Sequence, residues 1–442
     1  MKKKVTIVGA SLGGLIAAAE LSQNGFDVSI IDKGKTVGGL YNKVSTPFGE
    51  QELGMHLVYV SKKQFSYLSD VFGADAFNVM RGTQVDIGAC ANFGQVFFNS
   101  HYPNLLGHEL QDEILTQLKS CDGENKQALN ATEEVINRFG YTAAKEVMVP
   151  ILEKLWKMSP DLLTPQAIHC FFDLRRMIVC NKAEADILKS SPWIDSVLGN
   201  PDQSQPGGEV YGGRLGLTFK ESQDVLGENV MRWVARREID LKFEREVSVE
   251  RGILYEEGVP IHKDCDGCIV TLPMHSMASD VADKLDQLEL SIYYFKLSDK
   301  LWDQFPSYYI LAHSKELKSS RIVNYDAYCE DRIDYASSII SVEVIHEIGE
   351  GPSESDIAFE IEQLFSPVSV KESFRLPNKM RICSPTLNNA SLLDSVRVRI
   401  EKQFLGMPIY FSGLRTDTGT FFSHQTIGLA YDAALECKQR FS

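Results

Sequence analysis

The sequence lacks any apolar run that approaches the ~18 residues needed to cross a membrane. Its nine cysteines are scattered and odd in number, which does not fit a framework of disulfides. Basic residues are few: 45 of them stand against 60 acidic residues, so the net charge is −15 at pH 7. Such a surface repels nucleic acid and anionic membranes unless a local basic patch intervenes. We therefore expect a cytoplasmic protein that binds small molecules and has neither a membrane span nor a nucleic-acid partner.

Motifs for metals and for hydrolytic nucleophiles are absent too. The sequence contains no HExxH segment, no paired cluster of metal ligands and no glycine-flanked serine elbow. Cys265 and Cys268 form a CxxC pair, but no second pair follows, and the segment they enter is typical of a buried strand. We expect structural thiols there and no bound metal.

The length of 442 residues is about three times the ~150 residues of a typical domain, which indicates two or three domains. The first 40 residues alternate strand, glycine turn, helix and strand, which predicts a βαβ opening. Residues 62–204 are more helical in pattern, residues 291–311 and 339–344 are β-rich, and the chain then returns to strand, glycine turn and helix. This order predicts a nucleotide-binding domain from residues 1–60, 206–285 and 385–442, interrupted by a substrate-binding domain, a helical block plus a β-sheet, from residues 61–205 and 286–384.

A glycine-rich turn lies between the first predicted strand and helix. In VTIVGASLGG, Gly9 allows a sharp turn, Ser11 stands where the backbone would approach a phosphate, and Gly14 allows the helix to pack closely on the strand. The helix start offers free N–H groups and a positive dipole end, which suit a pyrophosphate. Asp32 ends the second strand and can accept hydrogen bonds from ribose hydroxyls. Together these features predict a dinucleotide site with an unphosphorylated adenosine ribose.

The segments that follow Asp32 indicate which type of dinucleotide the chain binds. Two paired glycines, Gly38 and Gly39, come soon after Asp32, and ELGMH then supplies Gly54 and His56. On these residues the chain resembles the flavoprotein superfamily that holds amine oxidases, protoporphyrinogen oxidase, phytoene desaturases and UDP-galactopyranose mutase. In that group a paired-glycine turn follows the acid, and a further glycine-containing segment lies near the flavin.

The resemblance continues to the end of the chain. Val247 stands on a segment similar to the strand whose backbone holds the adenine, and residues 266–273 resemble a recurrent D-x-V-I-x-T-x-P strand. IYFSGLRTDTGTFFSHQTIGLA is similar to the closing flavin motif. There Gly413 and Arg415 would approach the pyrophosphate and ribityl, and a helix beginning near residues 426–428 would point its N-terminus at the flavin's pyrimidine end. The resemblance implies FAD and an α/β fold: a glutathione-reductase-like, Rossmann-like FAD-binding domain with an inserted α+β substrate domain.

FAD is itself a dianion, so an acidic chain must hold it with helix N-termini and a few arginines, chiefly Arg415. Members of the superfamily often carry a basic residue just after the paired glycines, where Leu40 and Tyr41 stand here. The cofactor residues that the resemblance implies are Gly9, Ser11, Leu12, Gly13, Gly14, Asp32, Lys33, Gly38, Gly39, Leu40, Gly54, His56, Val247, Thr271, Gly413, Arg415, His424, Thr426, Ile427 and Gly428.

His56 is the expected catalytic side chain, because its segment falls beside the flavin in the resembled families. A neutral histidine acts as a base or a hydrogen-bond donor near pH 7, although this one could instead only orient its loop. Arg175 and Arg176 could clamp an anionic substrate or form surface salt bridges. Arg214 lies in a loop that relatives bring toward the cofactor.

Two segments resemble the sugar-nucleotide mutase branch of the superfamily. One is VPILEKLWKMSPDLL, with Trp156, and the other holds the Asn324-Tyr325 pair, although Ser337 stands near the place of that branch's diphosphate-binding arginine. We count Trp156 and Tyr325 as candidate substrate residues. Amine oxidases usually place a lysine near the flavin, and Ile292 stands at that offset here, which argues against simple amine oxidation.

The sequence thus predicts an FAD-dependent oxidoreductase of the amine oxidase and protoporphyrinogen oxidase type, which transfers hydride between a small-molecule substrate and flavin. One alternative is a redox-neutral, flavin-dependent mutase acting on a nucleotide-linked sugar. Another is a flavin-binding protein without catalysis. The substrate, the electron acceptor and the oligomeric state, a homodimer included, stay open at this point.

Overall fold

The computed structural model describes residues 2–55, 57–80, 88–98, 100–120, 127–201, 215–301, 305–328, 337–377, 380–404 and 406–441. The strands are β1 Lys4–Val8, β2 Asp27–Ile31, β3 Val44–Thr46, β4 Gly49–Gln51, β5 Val58–Val60, β6 Phe77–Met80, β7 Gly88–Asn92, β8 Gln95–Phe97, β9 Leu215–Phe219, β10 Asp240–Lys242, β11 Val247–Glu250, β12 Ile253–Glu256, β13 Val259–Pro260, β14 Gly267–Val270, β15 Gln287–Leu297, β16 Tyr309–Ala312, β17 Arg321–Asn324, β18 Ile339–His346, β19 Val370–Arg375, β20 Met380–Cys383 and β21 Ile409–Phe411. The α-helices are α1 Leu12–Gln23, α2 Lys62–Phe72, α3 Gln111–Ser120, α4 Ala131–Phe139, α5 Tyr141–Ala143, α6 Val149–Trp156, α7 Lys182–Leu188, α8 Pro192–Val197, α9 Gln223–Arg237, α10 Tyr325–Tyr328, α11 Glu354–Leu364, α12 Leu387–Gln403 and α13 Ser423–Phe441.

A five-stranded parallel sheet forms the centre of the first domain. Its strand order is β10-β2-β1-β14-β21, and every neighbouring pair is parallel. Val5 and Ile7 of β1 face a cluster that includes α1, α2, α9 and α13, whereas Val8 faces a second cluster with β12 and α12. Because both faces of the sheet are covered, β1 and β2 consist largely of buried β-branched residues. The predicted βαβ opening is present as β1, α1 and β2.

Helices α1 and α13 lie side by side on one face of this sheet. A Cβ atom at Gly13 would lie 3.1 Å from the Ala430 Cβ and 3.3 Å from the Thr426 carbonyl oxygen. Near the other end of the contact, Glu20 of α1 is 3.4 Å from Lys438 of α13. The two helices therefore run parallel, and they begin next to each other at the carboxyl edge of the sheet.

The second domain is built on a larger, mostly antiparallel sheet. Its order is β19-β15-β18-β17-β16-β7-β8, with β20 also pairing with β15, and β16 and β7 form its one parallel pair within the described residues. Side chains of β15 alternate between its faces. Ile292 and Tyr294 pack against the helical block of α3, α4 and α6, whereas Tyr293 and Phe295 pack against α11.

Residues 62–204 are less helical than the sequence pattern suggests. Helix α2 contributes to the core of the first domain, where Tyr67 and Leu68 pack with α1, and β6 joins β5 and β9 in a three-stranded sheet. Strand β7 has the sequence GACAN, which carries little β-propensity of its own and becomes a strand because β16 and β8 pair with it. The domain limits given above stay a prediction.

The structure also bears on the expected absence of a membrane span and on the expected free thiols. Among the helices in the described part of the chain, none combines the length and apolar character of a membrane span. Each cysteine in the described ranges carries a free thiol. Cys268 lies buried in β14, and burial raises the pKa of its thiol well above the usual value.

Two helix glycines give a matched test of the close contact at the start of α1. A Cβ atom at Gly14 would lie 2.2 Å from the Gly9 carbonyl oxygen, whereas one at Gly227 in α9 would have nothing within 4 Å. We expect Gly14→Ala to cost about 1–3 kcal/mol, because the backbone must shift to admit the methyl group. Gly227→Ala should stabilise by about 0.5–1 kcal/mol through helix propensity alone.

Thermal unfolding followed by circular dichroism measures both changes. A shift of the unfolding midpoint in the same direction for the two variants would contradict the close contact at Gly14.

Candidate functional site

The turn between β1 and α1 is closed by short contacts. The Gly9 N–H donates to the Ile31 carbonyl at 2.8 Å, and Gly9 has φ +106°, which glycine adopts without strain. Ser11 caps α1: its Oγ accepts from the Gly14 N–H at 3.3 Å and donates to the Thr271 Oγ1 at 3.1 Å. A side chain at Gly9 would collide with Thr271, because a Cβ there would lie 2.3 Å from its hydroxyl oxygen. Leu12 and Gly13 follow as the first residues of the helix.

Asp32 lies at the end of β2, beside this turn. Its carboxylate accepts the Ala10 N–H and the Gly34 N–H, each at 2.6 Å. One N–H on each oxygen leaves further lone pairs to accept from a ligand hydroxyl. The Arg245 N–H donates to the Asp32 carbonyl at 3.0 Å, which brings the segment before Val247 next to Asp32. Val247 itself begins β11 and packs against the cluster on the second face of the sheet.

The paired glycines continue the same edge. The Gly38 N–H donates to the Ala10 carbonyl at 2.8 Å, and Gly38 and Gly39 both have positive φ, +106° and +60°. Leu40 then projects outward with 59% of its surface exposed, and Lys33 is exposed in the preceding turn. The structure thus brings the glycines to the start of α1 and leaves these two side chains in solvent.

The closing segment passes over the end of β14. A Cβ atom at Gly413 would lie 1.8 Å from the Leu272 carbonyl oxygen, so only glycine fits there. Arg415 follows, and its Nε lies 3.2 Å from the Asp417 Oδ1 in a largely buried ion pair. Because Asp417 neutralises the guanidinium, Arg415 adds little net positive charge to this edge, unlike the expectation from the sequence.

Helix α13 begins at Ser423, three residues before the predicted start. His424 stacks on Phe422 with ring centroids 5.8 Å apart. Ile427 is buried in the cluster that joins α1 and α13, and a Cβ atom at Gly428 would meet nothing within 4 Å. The first two turns of α13 therefore offer both a packed side and an open side.

The segment that contains the expected catalytic histidine reaches the same place. The Ser423 Oγ lies 3.5 Å from the Leu57 carbonyl oxygen, and Ser423 also bonds to Tyr41, whose pKa is raised to about 12 by desolvation. His56 lies outside the described residues, but its chain neighbours Met55 and Leu57 are described. Gly54, with φ +80°, contacts the second domain.

The arginines proposed as an anion clamp make internal contacts. Arg175 binds Asp173 with Nη2 and Oδ2 2.7 Å apart, and the Arg176 Nε donates to the Asp195 carbonyl at 2.9 Å. Burial opposes the charge of Asp173, but hydrogen bonds from Arg175 and His101 outweigh it and lower the pKa of Asp173. Both arginines thus brace the helical block. Arg214 lies outside the described residues.

The residues of the mutase-like segments lie in the core. Trp156 is fully buried, and its indole N–H has no hydrogen-bond partner within the described ranges. Lys154 donates to the carbonyls of Ala312 and Ser319, the latter at 2.9 Å, and burial lowers its pKa to about 7. Tyr325 is also fully buried. These side chains join α6 and α10 to the second sheet, and this placement favours a packing role.

Sequence reasoning missed two acids. Asp417 stands two residues after Arg415, a spacing that could have indicated an ion pair. Glu343 accepts from the Met55 N–H, 288 positions away along the chain, and binds Arg321, 22 positions away. No local pattern signals such contacts.

Taken together, the edge joins two helix starts, glycine turns without room for side chains and a carboxylate with spare acceptor capacity. Helix N-termini bind anions, and open parallel sheets bind nucleotides beyond the carboxyl ends of their strands. The arrangement suits an extended dinucleotide. Across the described residues, we find no group of three or more His, Cys, Asp or Glu side chains placed to hold a metal.

Comparison with known proteins agrees with this geometry. Residues 7–73 match the family model of the NAD(P)-binding Rossmann-like domain. A curated relative, 4,4'-diaponeurosporene oxygenase from Staphylococcus haemolyticus (strain JCSC1435), is 39% identical over 69 residues, which make up 15% of this chain and 14% of the relative. The similarity in sequence is thus confined to a short part of both proteins.

Solved structures match over the whole chain. Reduced UDP-galactopyranose mutase has a TM-score of 0.68 at 13% identity, with 100% of this chain and 94% of that chain covered. A candidate protoporphyrinogen oxidase from Exiguobacterium sp. 255-15 has a TM-score of 0.60 at 14% identity, with coverages of 100% and 99%. Putrescine oxidase bound to putrescine has a TM-score of 0.57 at 13% identity, with both chains fully covered at 100%. The predicted fold class and the resemblance to these groups are confirmed at the level of the fold.

His169 lies against the closing segment and gives the region a pH dependence. A Cβ atom at Gly419 would lie 3.3 Å from the His169 Cβ, and burial together with the charge of Arg175 lowers the pKa of His169 to about 4. The unfolded chain, with an ordinary histidine pKa, binds the proton more readily than the folded chain. Stability is therefore lost as the pH falls from about 6.5 toward 4.

We expect His169→Gln to reduce this loss, because it removes one group that the unfolded chain protonates between pH 6.5 and 4 and the folded chain does not. The unfolding midpoint of the variant should fall less than that of the unchanged protein between pH 7 and pH 5. Parallel pH profiles for the two proteins would exclude His169 as a source of the acid sensitivity.

Proposed function

We propose that this chain binds FAD in an extended conformation along the carboxyl edge of its first sheet and acts as an FAD-dependent oxidoreductase. The observation that carries the proposal is the side-by-side start of α1 and α13, which directs two positive helix ends to one place. Asp32 lies beside the start of α1, where it suits the adenosine ribose. The segment around Met55 and Leu57 lies beside the start of α13, where it suits the flavin.

The residues of the edge fit this cofactor. Gly9, Gly14 and Gly413 leave no room for side chains where the backbone must close, while Gly428 faces open space. The carboxylate of Asp32 retains lone pairs for ribose hydroxyls after its two N–H bonds. Bound FAD would supply hydride transfer between a substrate carbon and flavin.

The roles of the chain's own groups follow from their positions. The start of α13 would stabilise negative charge that develops at the adjacent end of the cofactor. His56 would act as a base or hydrogen-bond donor on the substrate side. The Tyr41 hydroxyl, which is bonded to Ser423, is protonated at neutral pH, and desolvation raises its pKa further, to about 12.

The type of oxidoreductase is supported by the proteins that share the fold, among them a candidate protoporphyrinogen oxidase and putrescine oxidase. Ile292, at the offset where amine oxidases place a lysine, is buried in β15 and faces the helical block. Lys296, on the same strand, forms an ion pair with Glu372 at 3.1 Å. We therefore propose hydride transfer from a small molecule without restricting that molecule to an amine.

A second candidate is a redox-neutral mutase that acts on a nucleotide-linked sugar. Its support is the TM-score of 0.68 with reduced UDP-galactopyranose mutase over the whole chain. Lys154 and Trp156, which first suggested this branch, have packing contacts that account for them without a substrate. An enzyme of this type requires prior reduction of the flavin by dithionite or a nicotinamide, whereas an oxidase is reduced by its own substrate.

Two helix-capping serines provide a matched test of FAD binding. Ser11 caps α1 at the proposed phosphate site, and Ser61 caps α2 with nearly the same geometry. Aspartate is also a good N-cap, so Ser11→Asp and Ser61→Asp should both leave the fold intact. Only Ser11→Asp places a negative charge beside the pyrophosphate, and we expect it to weaken FAD binding about 100-fold.

Flavin absorbance and fluorescence titration measure the affinity, and anaerobic reduction by candidate amines, porphyrinogens and nucleotide sugars then separates the candidate functions. If the unchanged protein takes up no FAD, the proposed function is wrong. Equal FAD affinities for the Ser11 and Ser61 variants would contradict a phosphate site at the start of α1.

A further inference from the structure

The loop of residues 52–55, which leads into His56, is held by the second domain. The Tyr294 hydroxyl of β15 donates to the Glu52 carbonyl at 2.8 Å. The hydroxyl of Tyr325, directly after β17, lies 3.1 Å from the same oxygen and 3.0 Å from the Gly54 carbonyl oxygen. Both tyrosines are fully buried, and the Tyr325 hydroxyl also lies 2.9 Å from the Ser341 Oγ.

Glu343 of β18 holds the next residue of the loop. Its Oε1 accepts the Met55 N–H at 3.2 Å, and a Cβ atom at Gly54 would lie only 2.5 Å from that oxygen. The carboxylate thus occupies the space that a side chain at Gly54 would need. Glu343 is 2% exposed, and it provides an acceptor for the N–H of the half-buried Met55.

Arg321 of β17 fixes the carboxylate in place. Its Nη2 lies 2.8 Å from Oε1 and 2.7 Å from Oε2 of Glu343. The guanidinium lies 4.9 Å from the ring centroid of Phe171, which in turn lies 5.7 Å from that of Phe421 in the closing segment. The ion pair therefore stands where the second sheet, the 52–55 loop and the segment before α13 meet.

A buried ion pair contributes little net stability, because the cost of removing both charges from water offsets their attraction. Its effect is on orientation: Arg321 presents two donors in a rigid fork, and the carboxylate it holds can bind Met55 in one direction only. We propose that Glu343 is a positioning residue, which, held by Arg321, fixes the backbone that leads into His56 against the second domain. Its importance for catalysis rests on the proposed function, whereas its hold on the loop does not.

Hydrogen exchange at Met55 tests the hold directly. Glu343→Gln keeps the shape and one acceptor oxygen but removes the charge, and we expect peptides that cover Met55 to exchange about 5- to 10-fold faster. Glu289→Gln is the matched control. Glu289 is 5% exposed on the neighbouring strand, accepts the Gly349 N–H at 3.1 Å and pairs with Arg381, and we expect no change at Met55.

Tyr293 and Tyr294 of β15 give a second pair of matched variants with a smaller expected effect. Tyr294→Phe removes the bond to the Glu52 carbonyl and should also speed exchange in the loop, by about 3- to 5-fold. Tyr293→Phe removes a bond to the Pro352 carbonyl on the opposite face of the sheet and should leave the loop unchanged. If Glu343→Gln fails to fold, hydrogen exchange in Tyr294→Phe and Tyr293→Phe tests whether the second domain holds the loop.

With FAD bound, the shape of the visible flavin band should change in Glu343→Gln and not in Glu289→Gln, because only the former loosens the segment beside the cofactor. Exchange at Met55 that is equal in the Glu343 and Glu289 variants, and in the Tyr294 and Tyr293 variants, would overturn the proposal. If the protein takes up no FAD, the proposed function fails, while exchange in the FAD-free chain still decides whether Glu343 holds the loop.

Discussion

The close approach of backbone to backbone at the carboxyl edge of the parallel sheet is the constraint on which the other features depend. Gly14 lies against the Gly9 carbonyl, and Gly413 lies against that of Leu272, at distances that exclude a Cβ atom. These contacts let α1 and the closing segment turn sharply enough for α1 and α13 to begin together.

The negative charge of the chain affects how this edge could attract an anionic ligand. A protein with a net charge of −15 can attract the proposed cofactor FAD, a dianion, only through local positive potential. Arg415 was expected to supply it, but its pairing with Asp417 leaves the closing segment close to neutral at this point. Under the proposed function, the attraction would come mainly from oriented backbone N–H groups at the two helix starts. Such groups carry no counter-ion and keep their direction, because the fold has already fixed it.

The sequence predicts the parts of the site that follow from local pattern. The spacing of residues in the sequence is enough to indicate Gly9 to Gly14, Asp32 and the paired glycines, and the structure brings them together. The start of α13 was predicted near residues 426–428, and the helix begins three residues earlier, at Ser423. The substrate roles of Arg175 and Trp156 stay predictions: Arg175 pairs with Asp173 and Trp156 is fully buried, and residue type alone does not indicate either placement. The sequence could not indicate Glu343, because its role depends on contacts with residues that are distant along the chain.

The order of strands in the first sheet has a consequence for how the protein is made. β1 pairs with β2 near the start of the chain and with β14 more than 200 residues later, and β21 and α13 come near the end. A nascent chain therefore carries an incomplete sheet, with one edge of β14 and one side of α1 uncovered, until α13 leaves the ribosome. Contacts so distant along the chain form slowly, and the exposed apolar faces invite aggregation meanwhile. The edge where α1 and α13 begin together is thus complete only after both β21 and α13 have been synthesised.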